Sequence, residues 1–84
     1  MNRKRDGYDR ITVGKRIKTQ RQKLNMSQMQ LAEKIDRAVK YCSDIECGVC
    51  GMSIETMISI SEVLEMSIDY MLLGKIGEKD DRYS

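Results

Sequence analysis

The sequence predicts an all-α domain built from five short helices. Three observations carry that prediction. The 84 residues contain no Pro, no Trp, no Phe and only six Gly, a composition that suits helices and disfavours a turn-rich β fold. Apolar residues recur at helical spacing, as in Val13, Ile17 and Leu24, instead of alternating. Ser27, Ser53 and Ser67 each stand directly before such a run, where a hydroxyl can cap the free N–H groups of a first turn.

The first helix is expected from Thr12 or Val13 to Leu24, with Thr12 as its N-cap. Val13, Ile17 and Leu24 share one face, while Lys15, Arg16, Lys18 and Lys23 lie mostly off it. Asn25 follows as a stop that tolerates the left-handed region. The second helix is expected over Gln28–Ile35. Ser27 caps it, and Gln30 occupies the third position, which closes a capping box. Leu31, Ala32 and Ile35 face inward, with Met29 at the edge; Ala32 is small enough to let the next helix cross closely. Asp36 ends this helix, entering the left-handed region at modest cost. The third helix is expected over about Ala38–Glu46, with Cys42 and Ile45 buried and Gly48 as its stop. Ser53 caps a fourth helix with Ile54, Met57, Ile58, Ile60, Ser61 and Leu64 on its apolar face. Ser67 caps a fifth, with Ile68, Met71 and Leu72 inward and Gly74 at its end.

These elements give one domain over residues 12–74. A disordered basic arm, residues 1–11, precedes it, and a polar tail, residues 75–84, follows. So small a chain buries a limited fraction of its surface, and association with a second copy would help it. No run is long and apolar enough for a membrane span, and the charged N-terminus has no apolar stretch behind it, so a cytoplasmic domain is expected.

The net charge is only +2, yet it is unevenly placed. Residues 1–40 hold twelve Lys or Arg and four acids, a net of +8; residues 41–84 hold three and nine, a net of −6. One basic half suggests a face turned toward a polyanion. Catalysis is disfavoured. There is no His, the carboxylates are scattered, and no Gly-rich loop could cradle a phosphate. Cys47 and Cys50 form a CxxC with Cys42 upstream, but a four-thiolate zinc site lacks its fourth ligand and a thioredoxin-like reading lacks its βαβ context. Cys42 reads as core, and Cys47 and Cys50 as reduced thiols. No metal, cofactor or small-molecule ligand is expected.

The stretch Ser27–Gly48, SQMQLAEKIDRAVKYCSDIECG, then takes on meaning as two short helices at a fixed angle, the form in which a second helix enters the DNA major groove. Lys40 on the exposed face of that helix can donate to guanine O6 and N7, and Val39 can touch a thymine methyl group. Arg37, at the turn, and Gln28, at a helix N-terminus, suit phosphate. Tyr41 either reaches phosphate through its hydroxyl or packs with its ring half buried.

From about Val13 to Gly74 the chain resembles the Cro/C1-type, or XRE-like, helix-turn-helix family. The resemblance rests on SQxxLAEK, then IExG, then SIETxxxI. It implies a five-helix, lambda-repressor-like DNA-binding domain that acts as a transcriptional regulator, a repressor of phage or small bacterial type. The implied partners are a palindromic double-stranded operator and a second copy of the chain, joined through the fifth helix with Tyr70, Leu73 and Ile76. It assigns base reading to Ala38, Val39, Lys40 and Asp44, flanked by Ser43. It assigns phosphate contacts to Gln28, with Arg16, Arg21 and Lys23 of the first helix as further candidates. It also implies that Glu46 pairs with an Arg of the first helix, Arg16 being the natural partner. Three positions depart from the family pattern: Asp36 stands where Gly is usual, Asp44 where a polar reader is usual, and Cys47 where a polar or basic residue is usual. The link Gly48–Met52 lacks the usual basic residue and Pro. Those departures keep a second reading alive, a protein-interaction module of the same fold such as an antitoxin or adaptor.

Overall fold

The computed structural model describes residues 8–75. The expectations for residues 1–7 of the arm, and for Ile76 and the rest of the tail, lie outside the described residues. Five helices follow in order: α1 Arg10–Lys23, α2 Gln28–Lys34, α3 Val39–Cys47, α4 Ile54–Leu64 and α5 Ile68–Leu73.

Local capping chemistry explains most of the boundaries. Ser27 Oγ accepts from the Gln30 N–H at 3.0 Å, and the Ser27 N–H donates to Gln30 Oε1 at 2.8 Å, so both halves of the capping box are made. Ser53 and Ser67 accept from the N–H groups of Thr56 and Tyr70 in the same way. Asn25 (φ 57°) and Asp36 (φ 58°) take the left-handed conformation expected of them, and Gly48 closes α3 at φ 78°. Ile35 and Ala38 flank α2 and α3 as cap residues, one position short of the helical spans expected.

The start of α1 differs from expectation. Asp9, not Thr12, is the cap. Its carboxylate accepts from the N–H groups of Ile11 and Thr12 at 3.1 and 3.3 Å, and the Thr12 hydroxyl donates back to it at 3.1 Å. An ionised cap outcompetes a hydroxyl for free N–H donors. Tyr8, expected in the arm, is a core residue, and its hydroxyl oxygen accepts from the Met52 N–H at 2.9 Å. The N-terminal segment thereby fastens the link that follows α3.

The core gathers Val13 and Ile17 from α1, Leu31, Ala32 and Ile35 at α2, Cys42 and Ile45 from α3, Ile60 and Leu64 from α4, and Met66 and Met71 around α5. On α4 the buried stripe is Thr56, Ile60 and Leu64. Ile54 (72% exposed) and Ile58 (43%) were expected inward and point out. They sit two residues out of phase with that stripe, on nearly the opposite side of the helix. Thr56 can hold the inward place because Ser53 and Tyr41 donate to its hydroxyl oxygen, at 3.1 and 3.4 Å. α1 crosses α3 closely at Gly14. A Cβ added at Gly14 would lie 2.5 Å from the carbonyl oxygens of Ile45 and Glu46, so only glycine fits.

Candidate nucleic-acid interface

The site is assembled around a buried ion pair. The Arg21 Nε–H donates to Glu46 Oε2 at 2.6 Å, and Nη2 donates to Glu46 Oε1 at 3.0 Å. Nη1 donates to the Met26 carbonyl at 2.7 Å. Gln28 then donates from Nε2 to Glu46 Oε1 at 2.9 Å. Arg21 and Glu46 are 7% and 5% exposed. The Arg21–Glu46 pair thus ties together α1, α3, the link before α2, and the first residue of α2. A planar guanidinium fork suits such a site better than an ammonium would.

This corrects two expectations. Glu46 pairs with Arg21 instead of Arg16, and Arg21 has all three guanidinium nitrogens engaged, which removes it from the phosphate-contacting set. Arg16 points instead toward α5. Its Nη1 donates to the Met71 carbonyl at 3.1 Å, and its guanidinium carbon lies 5.9 Å from the centre of the Tyr70 ring. Five residues apart on one helix, the two arginines point roughly 140° apart, and only Arg21 faces α3.

Most of the remaining candidates lie at the α2–α3 turn or along α3. Arg37, Ala38, Val39 and Lys40 are exposed, Ser43 and Asp44 partly so. Gln28 is half-buried, with its amide anchored as above. Lys23 is exposed at the end of α1. The Arg37 N–H donates to the Ala32 carbonyl at 2.9 Å, which fixes the turn. Tyr41 packs against the core and its hydroxyl is turned to Thr56, which favours the half-buried ring over a phosphate contact. Lys40 Nζ lies 3.1 and 3.3 Å from the two carboxylate oxygens of Asp44, one helical turn on. Leu31, Ala32, Cys42 and Ile45 are buried beneath this face, as expected.

The three cysteines are free thiols. Burial, and secondarily the nearby Glu46 carboxylate, pushes the Cys42 thiol above its ordinary value. Burial, then Asp44, raises Cys50. A raised thiol is a poorer nucleophile and metal ligand at neutral pH. Among the described residues no group of three His, Cys, Asp or Glu could hold a metal ion, and no helix is long and apolar enough to cross a membrane.

The family model described as Helix-turn-helix matches residues 17–71. The chain belongs to this helix-turn-helix family, and its features are those of the Cro/C1 type. The structure resembles the P22 c2 repressor protein solved with a synthetic operator, at TM-score 0.72 and 28% identity over 75% of this chain and 96% of that one. It resembles the biofilm master regulator SinR solved with DNA, at TM-score 0.67 and 35% identity over 70% and 95% of the two chains. A curated relative, an uncharacterized HTH-type transcriptional regulator of Rickettsia conorii, is 33% identical over 76 residues. The match takes in 88% of this chain and 61% of that longer protein. The fold is therefore that of DNA-binding helix-turn-helix transcriptional regulators.

Proposed function

We propose that the chain is a sequence-specific double-stranded DNA-binding regulator whose α3 enters the major groove. One observation carries the reading. The Arg21–Glu46–Gln28 cluster fixes the first residue of α2 against α3, so a phosphate-facing amide and a base-facing helix are held in one frame. Gln28 keeps a second amide hydrogen for a phosphate oxygen, beside the free N–H groups of the α2 start. Arg37 and Lys23 supply further phosphate contacts, and Ala38, Val39, Lys40, Ser43 and Asp44 meet the bases. The relatives solved with operator or DNA support this reading. Binding over a promoter would exclude polymerase and so repress. Two copies joined through α5, where Tyr70 and Leu73 remain exposed, suit a palindromic operator.

The test is duplex binding against salt. Specific binding should weaken steeply as salt rises, with a log–log slope of roughly −0.9 for each phosphate neutralised. Lys23→Ala and Arg37→Ala should each make that slope shallower by about 1 without changing sequence preference. Absence of binding at low salt would instead favour a protein-interaction module, a reading supported by the mutual neutralisation of Lys40 and Asp44 on the face that would meet DNA.

A further inference from the structure

Asp44 puts a negative charge on the surface expected to approach phosphates, and helix stability does not explain it. The Lys40–Asp44 pair runs with its cation nearer the helix N-terminus, against the helix dipole and in the less favourable order for an i, i+4 pair. Lys40 is 82% exposed at the side chain and Asp44 27%, so solvent screens the attraction. The pair is nonetheless well formed, at 3.1 and 3.3 Å.

We propose that Lys40 and Asp44 act as one intact unit that reads a single G·C base pair, an inference that rests on the major-groove reading above. The match is geometric. The major-groove edge of G·C presents guanine N7 and O6 as acceptors and then the cytosine N4 donor. O6 and N4 are themselves joined by a Watson–Crick hydrogen bond, so they sit one hydrogen-bond length apart. Lys40 Nζ and Asp44 Oδ1 sit the same distance apart. The ammonium, with three donors, serves O6 and N7 while keeping Asp44 as its third partner. The carboxylate accepts from N4. All three groups of the base-pair edge are then satisfied, and neither charge is left alone when water is expelled. An A·T pair fits less well. Its edge offers N7, the N6 donor and thymine O4. In the same register the ammonium keeps N7 but faces the N6 donor, and the Asp44 carboxylate faces O4, an acceptor against an acceptor. The neutral unit gains specificity at one base pair and gives up attraction to phosphate in general, which is the reverse of a lone lysine.

The experiment is selection from a randomised duplex library with the intact chain. Quantitative binding then follows, to the selected duplex and to three versions changed at one base pair. The wild type should select a motif with an invariant G·C at one position per half-site and lose about tenfold or more in affinity for A·T there. Lys40→Ala and Asp44→Asn should both relax that same position, and the double variant should relax it no further than either alone. Asp44→Asn should also bind unrelated duplexes more tightly. Both groups are on the surface, so the variants keep the fold. The proposal is overturned if the two variants relax different positions, or relax none while the wild type still selects a motif; the regulator reading survives either result. A wild type that selects no motif overturns both.

Discussion

Two cation–carboxylate pairs involve α3, and their difference separates what builds the site from what uses it. Arg21–Glu46 is buried, bidentate and shared with Gln28 and the Met26 carbonyl. Lys40–Asp44 lies within one helix, with Lys40 exposed and Asp44 partly so, and shares its charges with no further side chain among the described residues. Removing two charges from water costs several kcal/mol, which their attraction offsets only when geometry and additional hydrogen bonds are complete. The first pair meets that condition and fixes three segments. The second stays largely in contact with water, so forming it costs little and breaking it costs little. Its side chains therefore remain free to meet a base.

The largest effect should come from breaking the buried pair on one side. Glu46→Gln leaves the Arg21 guanidinium buried without its counter-charge, and stability should fall by about 3–5 kcal/mol; urea denaturation measures it. The double variant Arg21→Met with Glu46→Leu should recover most of that loss, because apolar residues of similar volume replace a buried pair at little net cost. It should still bind DNA more weakly than the wild type, since Gln28 has lost its anchor. Full recovery of both properties would mean that the cluster holds nothing in place for DNA.

Next comes the backbone contact beside the same pair. Gly14→Ala places a methyl group 2.5 Å from two carbonyl oxygens of α3. Neither backbone can move freely, so α1 must shift, at a cost of about 1–3 kcal/mol. A thermal midpoint unchanged by Gly14→Ala would show that the crossing is looser than its spacing indicates.

What the sequence made legible divides along the same line. The serine caps, the Ser27–Gln30 box and the left-handed Asn25 and Asp36 are local, set by residues within four positions of one another, and they were readable directly. The helix-turn-helix itself was legible because its signals are of that kind. Choices between distant partners were not. Arg16 and Arg21 carry the same group on the same helix, and nothing local says which one faces α3. The inward place of Thr56 depends on Ser53 and Tyr41, whereas hydrophobicity alone favours Ile54 and Ile58. Gly14 reads as an unremarkable residue inside a helix until the α3 carbonyls are placed against it. Tyr8 is core, with its hydroxyl oxygen accepting from the Met52 N–H across the fold, a contact between distant residues.

A smaller effect concerns the α2 entrance, which lies between the two pairs. Ser27→Ala removes a hydroxyl acceptor and half of the capping box, and stability should drop by about 1 kcal/mol. The loss should be less than that from Glu46→Gln, because the exposed N–H can turn to water.

The smallest effect belongs to the surface pair. Lys40→Ala, Asp44→Ala and their double variant form a thermodynamic cycle, and its coupling energy for folding should be no more than about 0.5 kcal/mol. Moderate salt should reduce it further, because both groups face solvent. A coupling of 2 kcal/mol or so, measured by urea denaturation, would give Lys40–Asp44 a structural role after all. A small folding coupling beside a large coupling in DNA binding would instead establish the contrast: the pair between α1 and α3 makes the frame, and the pair on α3 is carried by it.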